Sequence, residues 1–264
     1  MTVLLAVLCG VLGLAVGSFL NVVIWRVPRG ESVVRPASRC PGCSSEIAPR
    51  DNVPVLSWLL LHARCRGCGV RISARYPLVE LATGALFAGM AVRLSDAHHG
   101  WPLLPAFLYL AAIGVALTAI DLDTQKLPNR IVLPSYPVLL ALVAVPSLLV
   151  GDAAALVRGV LAGAVLYAAY FVLCFVTAGR GLGFGDVKLA GLLGFGLGWL
   201  GWPSVLVGVL AAHLVGGLVV IGLVLVAGAG RKTRVPFGPM LIAGALVGIF
   251  AGVPLGSAYL SLSA

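Results

Sequence analysis

Ala119-Ile120-Asp121-Leu122-Asp123-Thr124-Gln125-Lys126-Leu127-Pro128-Asn129 closes an apolar run that begins near residue 101 and leads into another near residue 131. About 20 apolar residues in a helix cross roughly 30 Å of hydrocarbon, so each flanking run is long enough to span a bilayer. The segment therefore reads as the end of one membrane helix, a short polar turn and the start of the next. The same alternation continues in both directions, with spans expected near 3–25, 77–95, 101–120, 131–150, 155–177, 187–200, 203–228 and 238–258. With 60% hydrophobic and 10% charged residues, the chain is predicted to be an all-α polytopic membrane protein of about eight transmembrane helices. The first span starts Met1-Thr2-Val3 without a basic residue and is too long for a secretory h-region, so it is read as a retained helix.

Charge supplies the orientation. Of 18 Lys and Arg, 16 fall on one side of the alternating spans: nine from Arg26 to Arg75, then Lys126, Arg130, Arg180, Lys188, Arg231, Lys232 and Arg234. Only Arg93 and Arg158 point the other way. The positive-inside tendency makes the first side cytoplasmic and leaves the amino terminus outside. The net charge of +9 then reports topology and attraction to anionic membrane lipid, and argues for no nucleic-acid partner. The outer connections are short, so function is assigned to the helices or to the one polar insert.

That insert, residues 26–76, is a small cytoplasmic module between helices 1 and 2. It holds Cys40-Pro41-Gly42-Cys43 and Cys65-Arg66-Gly67-Cys68, a pair of C-x-x-C motifs at zinc-ribbon spacing. Cys40, Cys43, Cys65 and Cys68 are predicted to hold a structural zinc ion, with Arg39, Arg64 and Arg66 offsetting the charge of four thiolates. A disulfide-bonded insert is the competing reading, disfavoured in a reducing cytosol. Four cysteines leave no open zinc position for catalysis. Cys9 and Cys174 lie in apolar spans and read as small buried side chains, and His62 is not needed as a ligand.

Asp121 and Asp186 stand at the cytoplasmic ends of apolar stretches, the second in Gly183-Phe184-Gly185-Asp186-Val187-Lys188. A carboxylate near hydrocarbon is costly, so two of them call for a functional reason. Two such groups on different helices can share a proton, one acting as general base on water while the other protonates a carbonyl oxygen or leaving amine. This chemistry asks for no cofactor. Gly183 and Gly185 would loosen the backbone before Asp186 and admit substrate. Most other glycines, clustered in the second half, are read as helix-packing positions.

These residues, taken together, closely resemble the type IV prepilin peptidase family of G-x-G-D aspartic membrane proteases. The resemblance runs through Gly17-Ser18-Phe19-Leu20-Asn21, Trp25-Arg26-Val27-Pro28, the paired cysteine motifs, Arg75-Tyr76-Pro77-Leu78-Val79-Glu80, Asp121 with Leu127-Pro128-Asn129, Gly183–Leu189 and Pro236-Phe237-Gly238-Pro239. It implies a bacterial inner-membrane enzyme that removes the basic leader of prepilins and pseudopilins at the cytoplasmic face. It also implies methylation of the new amino terminus with S-adenosylmethionine. Asp121 and Asp186 would be the catalytic pair, and residues 77–264 the protease bundle. Asp123 reads more simply as a partner of Lys126 or Arg130, Lys188 as a support for Asp186 or a headgroup anchor, and Glu80 as a partner of Arg75 or part of a methyl-donor or amine site. No Rossmann-type glycine motif marks a methyl-donor site. Ile120 before Asp121 departs from the Tyr-Asp of presenilin-like proteases. A membrane carrier or scaffold with a zinc module is the alternative class, but it would place its acids nearer the bilayer midplane.

Overall fold

The structure is a computed structural model that describes residues 2–95, 100–179, 182–227 and 235–263. Arg180, Arg231, Lys232 and Arg234, counted above towards the inner side, lie outside the described residues, as do residues 96–99 of an outer connection. Among the described residues the regular structure is helical: α1 (Thr2–Arg26), α2 (Leu56–Leu60), α3 (Arg75–Ser95), α4 (Leu104–Thr124), α5 (Asn129–Leu149), α6 (Ala153–Val176), α7 (Phe184–Leu200), α8 (Trp202–Ala227) and α9 (Gly238–Ser263). Seven of these are long and apolar enough to cross a membrane. The exception among the eight expected spans is α7, with 17 residues. At 1.5 Å per residue it extends about 26 Å, and its residues are almost all buried by protein. Lipid therefore sets its length less than its neighbours do.

The outward surface confirms a multi-pass membrane protein. Leu206, Leu210, Leu214, Leu218, Ile221 and Leu225 follow helical spacing along α8 and are all exposed. In water such a stripe would drive aggregation, whereas in hydrocarbon it is the ordinary solvent-facing side.

The chain divides into two compact units, residues 1–116 and 117–264. In the first, α1 and α3 run antiparallel at close range. A Cβ on Gly13 would stand 2.8 Å from the Gly84 Cα, and one on Gly17 would stand 2.6 Å from the Glu80 Cα. Helices in a bilayer gain little from hydrophobic exclusion, so this backbone-to-backbone packing supplies the attraction. Asn21 adds a polar tie, its side-chain amide donating to the Tyr76 carbonyl at 3.2 Å. Arg26, at the end of α1, donates to the carbonyls of Ser32 and Pro36 and shapes the entry to the cysteine module.

The module itself is a duplicated knuckle. Cys40 N–H donates to the Ser45 carbonyl and Ser44 N–H to the Cys40 carbonyl; Cys65 N–H to Val70 and Gly69 N–H to Cys65 repeat the pattern 25 residues on. Bridges Arg39–Glu46 and Arg64–Arg71 close the two copies. The short α2 lies between them, and its Trp58 indole N–H donates to the Ile72 carbonyl at 3.1 Å. Just beyond α2, His62 and Ala63 both take positive φ, 50° and 57°. A Cβ in that region costs about 1–2 kcal/mol. Ala63→Gly is therefore expected to stabilise the module by about 0.5–1 kcal/mol after the entropy of the freer chain is deducted. A rise of about 2 °C in the thermal midpoint of the detergent-solubilised protein is the corresponding readout.

In the second unit, α6 and α7 are antiparallel and α8 and α9 likewise. Gly159 and Gly163 of α6 face Phe195 and the Gly191 carbonyl, and a Cβ on Gly198 would collide with the Ala162 Cβ. Gly208 of α8 faces Gly244 and Gly248 of α9. Arg158, counted above towards the outer side, has a specific structural role: its guanidinium donates to the Gly198 and Trp199 carbonyls at 2.8 and 2.7 Å. These are last-turn carbonyls of α7 that have no partner within the helix. The three internal prolines of α5, Pro134, Pro137 and Pro146, are accommodated in the helix. The residue after the last of them, Ser147, accepts a hydrogen bond from the Trp199 indole at 3.0 Å.

Candidate active site

The helix α4 runs four residues beyond the apolar stretch that ends at 120, which places both Asp121 and Asp123 in its last turn rather than in the polar break. Their surroundings differ. Asp121 is 4% exposed, whereas Asp123 lies on the open face of the same turn. Gln125 then takes φ of 52°, ending the helix, and Pro128 in extended conformation opens α5. Four residues, Gln125 to Pro128, thus connect the two helices.

Asp186 occupies the first turn of α7 and is 8% exposed. Its Oδ2 accepts the backbone N–H of Gly183 at 2.9 Å, which satisfies a donor that the helix start leaves without a partner. The partial positive charge of the helix N-terminus favours a carboxylate at this place. Asp121 is held in a comparable way from another element: its Oδ2 accepts the N–H of Gly238, the first residue of α9, at 3.1 Å. Each acid thus keeps one oxygen engaged with a backbone donor.

Leu127 brings the two acids together. A Cβ on Gly185 would lie 3.0 Å from the Leu127 Cβ, and one on Gly238 would lie 2.6 Å from the Asp121 Oδ2 and 3.4 Å from the Leu127 Cδ2. The side chain of the turn is therefore wedged between the glycine before Asp186 and the glycine that caps Asp121. The carboxylates are near enough to interact electrostatically. Neither Gly183 nor Gly185 has positive φ, so the expectation that they loosen the backbone gives way to a packing reason: Gly185 leaves room for Leu127.

Two further contacts tie the same corner. Lys188 Nζ donates to the Asn129 Oδ1 at 2.8 Å and lies 4.7 Å from the Phe184 ring centroid. The Tyr136 hydroxyl donates to the Lys188 carbonyl at 2.6 Å. Lys188 thereby links the start of α5 to the start of α7, a third role beside the two anticipated for it. Leu127-Pro128-Asn129 and Gly183–Lys188 are thus interlocked through the Leu127–Gly185 contact and the Asn129–Lys188 hydrogen bond.

The cysteine module meets the requirements of a metal centre. The sulfurs of Cys40, Cys43, Cys65 and Cys68 all lie within 4.8 Å of one another, and those of Cys40 and Cys68 are 3.7 Å apart. Tetrahedral coordination with Zn–S bonds of about 2.3 Å needs sulfur separations of about 3.8 Å, while a disulfide needs about 2.05 Å. All six cysteines are free thiols, so the disulfide reading falls. The Ser45 hydroxyl beside Cys43, 2.8 Å from its sulfur, together with the Ser45 backbone, draws that thiol down to about 6, towards the thiolate a metal requires. Arg66 does not attend the thiolates as expected. It makes a bidentate pair with Asp51, Nη2 to Oδ1 at 2.7 Å, whose hydrogen bonds hold the Asp51 carboxyl below its ordinary range. His62 is exposed and outside the cluster, Cys9 is buried, and Cys174 is half-buried with its sulfur 3.3 Å from the Leu182 carbonyl.

Glu80 is buried, and its Oε2 accepts the Val55 N–H at 2.8 Å. Val55 has φ of 60°, a strained value for a β-branched residue. The carboxylate thus fixes the loop before α2 onto the start of α3. Sequence reasoning missed that link, as it missed Tyr170, a buried side chain of α6 whose ring lies 6.5 Å from that of Phe237. In an apolar run a lone tyrosine gives no sequence signal beyond that of an interfacial anchor.

Comparison with known proteins gives a consistent result. Residues 11–94 match the family described as the bacterial peptidase A24 N-terminal domain, and residues 107–221 match the type IV leader peptidase family. The chain is 38% identical over 274 residues to a prepilin leader peptidase/N-methyltransferase of Aeromonas hydrophila, covering 94% of this chain and 91% of that one. The protein of the same description from Myxococcus xanthus is 44% identical over 245 residues, 88% of this chain and 67% of that one. A type 4 prepilin-like proteins leader peptide-processing enzyme of Escherichia coli is 38% identical over 92% of this chain and 93% of its own. No solved structure matches.

Proposed function

The chain belongs to the type IV leader peptidase family, and from that premise we propose that it cleaves the basic leader of prepilins and pseudopilins with Asp121 and Asp186, then methylates the new terminal amine. The observation that carries the reading is a pair of buried carboxylates at helix ends, each with one oxygen held by a glycine N–H, with Leu127 packed between the glycine before Asp186 and the glycine that caps Asp121. Fixed in this way, each acid has its second oxygen left for chemistry. The ionised member removes a proton from water as the water oxygen adds to the scissile carbonyl carbon. The protonated member gives its proton to the carbonyl oxygen. Collapse of the tetrahedral intermediate breaks the C–N bond: the amine leaves with the proton first taken from water, and a hydroxyl of the diol returns its proton to the acid that had given one up, which restores the pair.

Both acids stand near helix ends, a position that would suit a leader reaching them from the cytoplasmic side. A prepilin carries an apolar helix after its cleavage point, and the bilayer would hold it as it holds α8. The excess of basic residues on that side supports a cytoplasmic site in the bacterial inner membrane.

S-Adenosylmethionine would supply the methyl group. The four cysteines would hold zinc as a structural ion that fixes the duplicated knuckle. The reading is tested by the intact mass of a cognate prepilin co-expressed with this protein. Loss of the leader together with the added mass of one methyl group is the expected result. A full-length prepilin beside folded enzyme would overturn the peptidase assignment for that substrate, and a cut but unmethylated product would overturn only the transferase part.

A further inference from the structure

Tyr170 presents a polar group that the packing around it does not explain. It is 4% exposed, and among the described residues nothing hydrogen-bonds its hydroxyl. A buried donor left in that state costs about 1–3 kcal/mol, and native structures rarely retain one without a use. The other unpartnered buried hydroxyl, Ser204, lies near the start of α8 against Gly252, away from any titratable cluster.

The surroundings of Tyr170 point to the acidic pair. Its ring packs against Phe237, 6.5 Å away, and Phe237 directly precedes the Gly238 whose N–H holds Asp121. The third ring of the cluster, His213, is 6.0 Å from Tyr170 and 5.6 Å from Phe237. His213 is already committed: its Nδ1 lies 2.8 Å from the Val209 carbonyl, which can only accept, so the proton resides on Nδ1. The Tyr170 hydroxyl is near enough to Asp186 for the two to interact electrostatically, yet no hydrogen bond joins them. The ring is thus held on two sides, against the residue that precedes the Asp121 cap, while the hydroxyl has no protein partner among the described residues.

We propose that Tyr170 is a third catalytic residue of the peptidase site, its hydroxyl donating a hydrogen bond to the scissile carbonyl oxygen as that oxygen gains negative charge. This rests on the reading of Asp121 and Asp186 as the catalytic pair. A neutral phenol suits the task, because it adds no charge to a site that already holds two carboxyl groups. A donor that is unpaired in the free enzyme and paired in the transition state contributes to rate rather than to ground-state binding. The proton stays on the phenol throughout, so the transfer between water, the two acids and the leaving amine is unaltered.

Tyr170→Phe keeps the ring contacts and removes only the hydroxyl. The expected result is a fall of about 10²-fold in kcat for leader cleavage, the scale seen when one oxyanion donor is removed, with KM changed less than about threefold. The thermal midpoint should hold or rise, since an unsatisfied group has been deleted. A purely structural tyrosine would give the opposite pattern, a lower midpoint with kcat retained. Replacing Tyr170 by 3-fluorotyrosine, a stronger donor of similar size, is expected to retain or exceed the wild-type kcat. A Tyr170→Phe enzyme with kcat within about threefold of wild type overturns the proposal. Asp186→Asn, measured alongside, separates the two readings: if it too stays active, the acidic pair itself is wrong, whereas an inert Asp186→Asn beside an active Tyr170→Phe rejects the tyrosine alone.

Discussion

Asp121→Asn and Asp186→Asn are each expected to lower leader cleavage by about 10³-fold or more while leaving the protein folded. The fold should survive because asparagine is nearly isosteric and its side-chain oxygen can still accept the N–H of Gly238 or Gly183 that the carboxylate accepts. What it lacks is the ability to exchange a proton. Either substitution alone stops the cycle, since one acid must take a proton from water while the other supplies one to the carbonyl, so the double variant should be no worse than either single one. Asp123→Asn is the matched comparison. Two residues from Asp121 on the open face of the same turn, it is expected to keep cleavage within about threefold of wild type. The measurement is the rate of leader loss from a purified prepilin in detergent or vesicles, with a leaderless pilin supplied in parallel as a methylation substrate. Retained methylation in the two aspartate variants would show that the protein is intact. Retained cleavage in either one would remove that residue from the mechanism.

The sequence made the spans legible because hydrocarbon thickness imposes length directly: the helix expected near 131–150 is Asn129–Leu149, and that near 155–177 is Ala153–Val176. The acids were legible for a related reason, since a charge at the end of an apolar run is anomalous wherever it occurs. What sequence could not supply is the tertiary reason for the small residues around them. Gly185 looks like a source of freedom when read in a line and Gly238 like one residue of a motif, yet their hydrogens face Leu127 and Asp121 across the fold. The pairing of Arg66 with Asp51 was hidden likewise, because 15 residues and a knuckle separate them. Tyr170 shows the limit most plainly. Its partners are aromatic groups from two elements far along the chain, and the absence of a hydrogen bond is a property that no residue pattern encodes.

Removal of zinc is expected to separate the two activities. The two knuckles bury little apolar surface of their own: of their four cysteines only Cys40 is buried, and no strand longer than a single bridge forms among the described residues. A segment of this kind folds around its ion, and apparent zinc-binding energies of about 10–16 kcal/mol in small zinc domains show how much of the folding energy the metal can supply. Without it, four sulfurs within 4.8 Å, at least one drawn towards its thiolate, would repel one another and the copies would part. The Glu80 carboxylate, which now caps the strained Val55, would lose that N–H as the loop before α2 relaxed. The elements that hold Asp121 and Asp186, from the last turn of α4 to the start of α9, lie in the other compact unit, beyond residue 116. Chelation, or Cys40→Ser with Cys68→Ser, is therefore expected to reduce methylation by about 10²-fold or more, a loss comparable to disruption of a metal shell, while cleavage falls by less than about threefold. Zinc content per chain, the two rates and the thermal midpoint should be measured on the same preparations, and readdition of zinc after chelation should restore methylation. If cleavage is lost in step with methylation while the midpoint of the helical transition is unchanged, the module acts in both reactions and the assignment of zinc to the transferase half alone is wrong.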